Sequence, residues 1–450
     1  MEQSNNTKLW QKSSLPLESV EAFTVGNDKQ FDAQLARYDV LGSLAHVQML
    51  HSVGLLDEAD SKAVTAELKA IYRSIEAGGF VISDTAEDIH SHIELLLTQK
   101  LGEAGKKIHS ARSRNDQVLV DIKLFLRHQL QELVTEVKAL FDLLQTLSEK
   151  HKDDLLPGYT HLQMAMPSSF GLWLGAYAES LADDTVTLKA AYDIANKNPL
   201  GSAAGYGSSF PINRSLTTQL LGFADLHYNV VYAQMGRGKT ERIVAMALAN
   251  VADTLAKLSM DACLMLNQHF SFISFPDELT TGSSIMPHKK NPDVFELIRS
   301  HCNRIKALPN EIMLMTTNLP LGYHRDLQLL KEHLFPAFEN LRHCLQMAGL
   351  MLSNMQVQPN ILADEKYKYL FSVEEVNKLV ANGVPFRDAY KQVGLAIENG
   401  TYQYSTELHH THEGSIGNLC NEKIKAQMDV VLGTFPFKQV EAALESLVGL

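Results

Sequence analysis

The stretch Glu241–Gln268, ERIVAMALANVADTLAKLSMDACLMLNQ, is apolar almost all the way round when it is drawn as an α-helix. Its polar residues form only a thin stripe, at Asn250, Asp253, Lys257 and Asp261. A helix of this kind must be covered on most sides, because little of its surface is suited to water. We therefore expect it in the middle of a helical bundle that is shared between subunits. Its charged residues argue against a membrane span.

Two segments upstream of this stretch also show helical periodicity. Proline, which breaks helix interiors, is absent from residues 17–156, 168–198 and 212–275, so long helices are permitted in all three intervals. Apolar residues recur every three or four positions, as on one face of a helix, at Leu119, Ile122, Leu126, Leu130, Leu133, Val137, Leu140 and Leu144, and again at Leu174, Tyr177, Leu181, Thr185 and Leu188. No strand alternation of comparable strength is present, so the sequence predicts an all-α fold.

Changes in composition indicate three mostly helical domains. A polar segment near His109 precedes a long helix that we expect to begin at Asp116, and the residue composition changes again near Gln358–Glu365. We expect an N-terminal helical domain at residues 1–111, a central long-helix bundle at 112–362 and a smaller helical domain at 363–450. A chain of 450 residues is long enough for several such units.

The composition excludes some function classes. The net charge is −12 and no run of Lys or Arg stands out, so a nucleic-acid partner is not expected. Any anion site must be built locally, from a few cations and backbone N–H groups. The four cysteines are far apart and form no ligand spacing, and the N-terminus has no apolar signal core. These features predict a cytoplasmic protein with reduced thiols.

Two long segments are predicted to be loops, at residues 198–213 and 274–292, and the second carries candidate chemistry. Residues 282–292 read GSSIMPHKKNP, with small residues and free N–H donors followed by Lys289 and Lys290. The segment leads into a helix expected near Asp293, whose N-terminal end favours anions. An ordinary polar loop that caps this helix is the alternative.

Three further segments place polar side chains near expected helix starts. Residues 109–117 read HSARSRNDQ, and their two arginines suit bidentate binding of carboxylates, although Ser113, Asn115 or Asp116 could simply cap the helix. Residues 158–163 read GYTHLQ, where His161 is expected to open a helix beside a threonine hydroxyl and suits acid/base chemistry. Residues 323–328 read YHRDLQ, with Lys331 three positions on.

These segments carry a resemblance to a known superfamily. Residues 282–292 resemble the fumarase/aspartase signature GSS-x-MP-x-K-x-NP, and residues 110–117 resemble the first signature of the argininosuccinate lyase family within it. GYTHLQ and the Y-x-x-DLQ-x-x-K segment resemble further blocks of that family, as do residues 87–90 and 383–387. The resemblance runs from about Asp32 to Gly394. It implies three mostly helical domains whose central bundles assemble into a homotetramer.

The resemblance implies a reaction and a set of site residues. The family splits argininosuccinate into arginine and fumarate by reversible β-elimination, in the last step of arginine biosynthesis, and needs no metal or organic cofactor. The implied catalytic residues are Ser283 as base, His161 as proton donor, Lys289 facing the developing charge and Glu296 holding the histidine; some descriptions of the family reverse the roles of serine and histidine. The implied substrate contacts are Asn115, Thr160, Tyr323, Gln328, Lys331, Arg112, Arg114, Asn291 and Gln163. Each site is expected to use segments from three subunits.

The sequence departs from the family pattern at several places. Trp10–Ser14 stands where the family has WGGRF, His288 replaces a glutamine, and in Met235–Arg242 only Arg242 aligns well. Asp28 aligns with a serine that contacts substrate in relatives, and an added carboxylate there would either repel a substrate carboxylate or bind a cation. Two alternatives stay open, a lyase acting on a different succinyl-amine and a non-catalytic structural homologue like the lens delta-crystallins.

Overall fold

The protein is described by a computed structural model that covers residues 17–83 and 86–449. The segment Trp10–Ser14, one of the departures noted above, lies outside these residues. The N-terminal part is helical, with α1 at Glu18–Val25, α2 at Asp28–Asp32, α3 at Ala36–Ser52, α4 at Glu58–Glu76, α5 at Ile89–Leu101 and α6 at Glu103–Lys106.

Five long helices form the centre of the structure, and they confirm the all-α prediction. They are α7 at Arg114–Lys150, α8 at Phe170–Ala195, α11 at Lys239–Leu266, α12 at Asp293–Met315 and α13 at Leu330–Ser353, with the short helices α9 at Arg214–Leu220 and α10 at Val230–Met235 between them. Helix α11 packs along α8, α12 and α13, and α7 packs along α8 and α13. One continuous apolar core joins these helices to the N-terminal ones.

Helix α7 begins two residues before the predicted start, for a local reason. The Ser113 hydroxyl accepts the N–H of Asn115, and the Asp116 carboxylate accepts the N–H of Ser113, which is a reciprocal cap. The alternative that these residues cap the helix is therefore confirmed for Ser113 and Asp116. The eight periodic positions between Leu119 and Leu144 are all buried, as predicted.

The apolar stretch that opened the analysis is helix α11, and its polar stripe is used for pairing. Asp261 accepts hydrogen bonds from Trp173 Nε1 at 3.0 Å and from the Tyr177 hydroxyl at 2.6 Å, both on α8. Asp253 pairs with Lys306 of α12 at 2.5 Å. By length and hydropathy α11 would qualify as a membrane span, but 61% of its most apolar window is buried within the protein. These contacts show that α11 is an interior helix of the bundle.

Four short two-stranded ladders within the described residues were not predicted from the sequence. The first ladder is antiparallel and joins β1 at Leu155–Thr160 to β2 at Gln163–Ser169. The second is parallel and joins β3 at Lys197–Asn198 to β4 at Asp225–Leu226. The other two are antiparallel, and they join β5 at Ile273–Ser274 to β8 at Gln356–Val357 and β6 at Thr281–Gly282 to β7 at Lys290–Asn291. Most are two residues long, so they carry no alternation for a sequence to reveal. They tie the ends of the long loops together.

The prediction that His161 opens a helix is wrong. Thr160 pairs with Gln163 across β1 and β2, so His161 and Leu162 form the two-residue turn of a β-hairpin, with φ of 53° and 58°. Positive φ at both positions matches the twist of the two strands. The helix begins only at Phe170, where the Ser169 hydroxyl accepts the N–H of Leu172.

The C-terminal part contains four helices, α14 at Ser372–Ala381, α15 at Phe386–Glu398, α16 at Asn421–Leu432 and α17 at Phe437–Val448. Helices α14 and α15 enclose a small separate core around Val376, Ala389 and Val393. Helices α16 and α17 instead pack on α8 and α3, and their apolar residues belong to the main core. The domain limits at residues 111 and 362 stay predictions.

Candidate active site

A polar cavity of about 150 Å³ lies where the first turn of α7 meets α2 and the segment that leads into α13. Its walls contain several of the predicted substrate contacts. The lining residues are Val25, Asp28, Asp32, Glu87, Asp88, His90, Arg114, Asn115, Val118, Arg237, Tyr323, Arg325, Gln328 and Lys331. The structure thus brings Arg114, Asn115, Tyr323, Gln328 and Lys331 together, although they come from two distant parts of the sequence.

Opposite charges face each other across one side of this cavity. Arg114 Nη1 lies 3.5 Å from Glu87 Oε2 and 3.2 Å from Asp88 Oδ2. Arg325 Nη2 lies 3.5 Å from the other oxygen of Glu87. The two guanidinium groups and the two carboxylates therefore balance one another.

The other side holds one ammonium group between two carboxylates. Lys331 Nζ lies 2.7 Å from Asp28 Oδ1 and also contacts Asp32. Burial opposes the charge on this lysine, but Asp32 and Asp28 outweigh burial, so the pKa of Lys331 is raised. Burial and the neighbouring Asp32 charge raise the pKa of Asp28 to about 6, against the lowering effects of Lys331 and Arg237.

Helix α1 fixes the far wall of the cavity. Gln328 Nε2 donates to the backbone carbonyls of Thr24 at 3.0 Å and Val25 at 3.3 Å. Arg325 Nη2 donates to the same Thr24 carbonyl at 3.0 Å. These bonds orient the segment that carries Tyr323 and Gln328.

The side chain of Arg112, a predicted substrate contact, extends in a different direction from that of Arg114. Its Nη1 donates to the Ser43 hydroxyl at 3.0 Å, and the residue does not line the cavity. Asp116 holds the loop at residues 198–213, because its Oδ2 accepts the N–H groups of Gly201 and Ala203 at 2.9 Å each.

The serine loop is closed at its base by the β6–β7 ladder. Gly282 pairs with Lys290 across the ladder, so Ser283 and Lys289 stand at the two ends of the loop between the strands. Asn291 Nδ2 donates to the Gly282 carbonyl at 3.4 Å, and Lys290 pairs with Asp277. The loop has a defined base although most of its residues are exposed.

Two backbone donors surround the hydroxyl of Ser283. Its Oγ accepts the N–H of Ile285 at 3.3 Å and that of Met286 at 3.1 Å. Donors placed in this way stabilise negative charge on the oxygen. Lys289 is exposed on the same loop, and Glu296 is exposed in the first turn of α12, which begins at Asp293 as predicted.

The histidine block forms a third group of predicted residues. Thr160, His161 and Gln163 are exposed at the tip of the β1–β2 hairpin. Left-handed backbone at two consecutive non-glycine residues costs on the order of 1 kcal/mol or more each, and strain of this kind is often kept at functional sites. Neither His161 nor Ser283 lines the cavity. Within one chain, the predicted residues of the hairpin and of the serine loop therefore lie outside the cavity that holds the other predicted contacts.

A buried cluster behind the cavity was not foreseen from the sequence. His90 lines the cavity, its Nδ1 pairs with Asp39, and it lies 3.5 Å from Asp121 Oδ2. Burial lowers the pKa of His90, but the charges of Asp39, Asp88 and Asp32 and the hydrogen bond to Asp39 together outweigh burial, so the net shift is upward. The ligand atoms of Asp39, His90 and Asp121 lie within 4.8 Å of one another, a spacing that a metal ion could bridge. His90 lies in the block of residues 87–90 noted in the sequence, but the three residues belong to three helices, so no motif groups them.

Arg237 was also missed, because the alignment of Met235–Arg242 favoured Arg242. Arg237 lines the cavity, its Nε donates to Glu241 at 2.8 Å, and its Nη2 donates to the Leu327 carbonyl at 2.9 Å. Glu241 also accepts the N–H of Gly238 at 2.7 Å. The sequence signal that could have revealed Arg237 was an arginine four residues before a glutamate at a helix start.

This helical bundle, with a serine–lysine loop before one long helix and an arginine-rich signature before another, defines a lyase of the fumarase/aspartase superfamily. Residues 18–307 match a sequence family described as lyase. Among solved structures, EDDS lyase in complex with formate superposes with a TM-score of 0.74 at 21% identity, over 98% of this chain and 95% of that one. Class II fumarase from Schistosoma mansoni superposes with a TM-score of 0.69 at 17% identity, over 94% and 97%. These two likenesses concern the fold alone.

Sequence relatives narrow the class further. Argininosuccinate lyase of Phocaeicola vulgatus is 58% identical over 98% of this chain and 99% of its own length. Argininosuccinate lyase of Thermotoga neapolitana is 37% identical over 86% of this chain and 97% of its own. The chain belongs to the argininosuccinate lyase family.

Proposed function

We propose that this lyase cleaves argininosuccinate reversibly into L-arginine and fumarate, as the last step of arginine biosynthesis. The 58% identity to an argininosuccinate lyase over nearly the whole chain carries this proposal. The charge pattern supports it. The cavity offers both carboxylates and cations, and the substrate carries carboxylates on its succinyl half and an amino-acid group and a guanidino group on its amine half.

The reaction begins with removal of a proton from the succinyl carbon next to a carboxylate. We assign this step to Ser283, whose oxygen accepts two backbone N–H groups that favour its ionised form. The electron pair left on carbon spreads into the adjacent carboxylate and gives an intermediate with two negative charges on that group. Lys289 and Asn291 would stabilise it, and a single preorganised donor is worth about 3–4 kcal/mol at such a centre.

The second step breaks the carbon–nitrogen bond. The electron pair of the intermediate forms the double bond of fumarate, and the guanidino nitrogen leaves with the bonding pair. His161 would donate a proton to that nitrogen, directly or through a water molecule. Glu296 would hold the imidazole. Exchange of the base and acid roles between Ser283 and His161 is the alternative.

A complete site would require several chains to assemble. In one chain, His161 and Ser283 lie outside the cavity that holds the other predicted contacts, which a site shared by subunits would explain. Large apolar side chains are exposed on the long helices, at Val186, Met246, Leu297 and Leu314 with 51–64% of their surface accessible. An exposed apolar face of this kind is typical of helices that pack against another copy. We propose a homotetramer with sites built from three chains.

The free thiols support a proposal for the cellular location. All four cysteines are free in the described part of the chain. This is what a reducing compartment favours, and we propose the cytoplasm.

Fumarate release from a panel of succinyl-amines tests the proposed reaction. We expect argininosuccinate to be turned over at least about a hundredfold faster than adenylosuccinate, aspartate or ethylenediamine disuccinate, because a site built to pair charged groups rejects ligands that lack them. Faster turnover of another panel member would assign a different lyase activity. Lack of turnover with every member would favour the non-catalytic homologue.

A further inference from the structure

We propose that Asp39, His90 and Asp121 form a binding site for one divalent transition-metal ion, such as zinc, where three helices meet. Asp39 belongs to α3, His90 to α5 and Asp121 to α7. An ion bound to all three would tie two N-terminal helices to the central bundle. The inference goes beyond the proposed function, because no step of the proposed reaction uses a metal.

The ligand atoms of the three residues already converge. One ligand atom of each residue lies within 4.8 Å of those of the other two. His90 Nδ1 lies 3.5 Å from Asp121 Oδ2 and also contacts Asp39 Oδ2. Ligand atoms around a tetrahedral zinc ion are about 3.3 Å apart, since each lies about 2.0–2.1 Å from the metal. A shift of the Asp39 carboxylate would replace its direct bond to His90 by two bonds to one ion.

The carboxylate of Asp121 has acceptor capacity that the protein does not use. The residue is 1% exposed, and neither of its oxygens accepts a hydrogen bond from the described residues. Asp39 Oδ1 is likewise buried without a hydrogen-bond partner among them. Buried polar atoms are almost always satisfied by a hydrogen bond, a water molecule or an ion. A buried carboxylate 3.5 Å from an imidazole nitrogen is therefore a ready ligand for a cation.

The charges around the cluster allow a divalent ion to bind. The permanently charged Arg112 acts on both aspartates of the cluster, so the group carries one net negative charge when His90 is neutral. Asp32 and Asp88 also act on His90, but each of them is paired with a cation. A metal takes the place of a proton on the imidazole, because only the neutral ring binds a metal.

His90 gives the ion a route from solvent and sets the kind of ion. Its side chain lines the polar cavity, whereas Asp39 and Asp121 lie behind that wall. An ion that enters through the cavity would reach the ring first. One imidazole nitrogen and two carboxylate oxygens suit zinc, while magnesium prefers oxygen ligands and keeps several waters.

Calorimetric titration of the chelator-treated, full-length protein with zinc tests the site. We expect one zinc ion per chain at this cluster. His90→Gln and Asp121→Asn should each weaken zinc binding at least about a hundredfold, because loss of a ligand exceeds the effect of losing a residue that only supports one. His409→Gln, which removes an exposed histidine, is the control and should retain the affinity. Equal zinc affinity in the wild type and in both folded cluster variants would overturn the proposal.

Anomalous diffraction at the zinc absorption edge tests the wild type directly, so the result does not depend on how well a variant folds. Crystals grown with zinc should show a peak about 2.0–2.2 Å from His90 Nδ1 and from one oxygen of each aspartate. An excess of magnesium should leave this peak in place. Peaks confined to surface histidines, no peak at all, or displacement by magnesium would overturn the site.

Thermal unfolding adds a readout that is independent of turnover. Zinc should raise the unfolding temperature of the wild type and of His409→Gln more than that of His90→Gln, because an ion that binds only the folded state stabilises it. An equal rise in all three proteins would contradict the proposal. Zinc binding and fumarate release are separate measurements, so failure of the metal site and failure of the proposed reaction are distinguishable.

Discussion

The hydroxyl oxygen of Ser283 lies 3.1 Å from the backbone nitrogen of Met286, which donates its N–H to it. A second donor, the N–H of Ile285, lies at 3.3 Å. A serine that accepts two N–H groups on an exposed loop is prepared to carry negative charge. This relationship makes Ser283 the first residue to test.

Replacing Ser283 by alanine should abolish most turnover without unfolding the protein. We expect a loss of at least about a thousandfold in kcat, since the proposed base is removed. Fumarate absorbance measures the rate, and thermal unfolding checks the fold, which should be unchanged because the side chain is at the surface of a loop. Ser353→Ala, at an exposed helix end, is the control. An active Ser283→Ala variant would assign the base elsewhere.

Two inactive variants should restore activity to each other when they assemble together. His161→Asn and Ser283→Ala are expected to be inactive alone. If a site takes these two residues from different chains, about a quarter of the sites in an equal, random mixture carry both native residues. Co-expression with two affinity tags isolates the mixed assemblies. Mixed assemblies with no activity would show that both residues come from one chain.

Neutralising Asp28 should stabilise the protein at neutral pH. The pKa of Asp28 is about 6 in the folded chain and 3.8 is its ordinary value, so the folded state holds the proton more tightly. The protonated Asp28 carboxyl stabilises the folded state fully below pH 4, and this stabilisation is lost as the pH rises through 6. The Asp28→Asn substitution should therefore raise the free energy of unfolding by on the order of 2 kcal/mol at pH 7 and by almost nothing at pH 4.

Denaturant unfolding at the two pH values measures this difference. Asp193→Asn, which removes an exposed carboxylate on α8, is the control and should change stability by less than about 0.5 kcal/mol at either pH. An Asp28→Asn variant that is less stable than the wild type at pH 7 would contradict the raised pKa that burial and Asp32 give to Asp28.

His46 should contribute to acid unfolding. It is buried, one ring nitrogen lies 2.9 Å from the Ser110 carbonyl, and burial together with the Arg112 charge lowers its pKa to about 3. The unfolded chain takes up a proton near pH 6.5, so stability falls as the pH drops from 6.5 towards 3. His46→Gln should flatten the pH dependence in this window, whereas the exposed His409→Gln should not. If the stability of the two variants depended equally on pH in this window, a contribution of His46 to acid unfolding would be excluded.

The contact between α7 and α8 should depend on the absence of a side chain at Gly171. A Cβ there would lie 2.5 Å from Lys152 Cα and 2.6 Å from the Ser148 carbonyl oxygen, both backbone atoms. Gly171→Ala should cost about 1–3 kcal/mol of unfolding free energy. At Gly349, inside α13, the nearest atom would be 4.0 Å away, so Gly349→Ala should be neutral or slightly stabilising. Chemical denaturation of both variants measures the contrast.

Much of the fold could be predicted because the long helices are strongly periodic. The apolar face of α7 repeats over eight positions, and all of them are buried. The hairpin around His161 could not be predicted in the same way, because a short strand pair gives little alternation and the turn uses two non-glycine residues with positive φ. The element after His161 was predicted to be a helix, and it is instead the strand β2.

Part of the candidate site was also readable from motifs. Arg114, Asn115, Tyr323, Gln328 and Lys331 were named as candidate contacts and line one cavity. Arg237 and the cluster of Asp39, His90 and Asp121 were not found, because their members meet only through helix packing. The roles of His161, Ser283, Lys289 and Glu296 remain predictions for the experiments above.

The sequence by itself determined the helical bundle, the loop that carries Ser283 and the family to which the chain belongs, because periodic burial and contiguous motifs are local properties of the chain. Only the tertiary structure decided that Asp28 and Asp32 share the ammonium group of Lys331, with about 300 residues between α2 and that lysine. The charge state of such a group depends on burial and on neighbours from other helices, and the packing of the helices sets both.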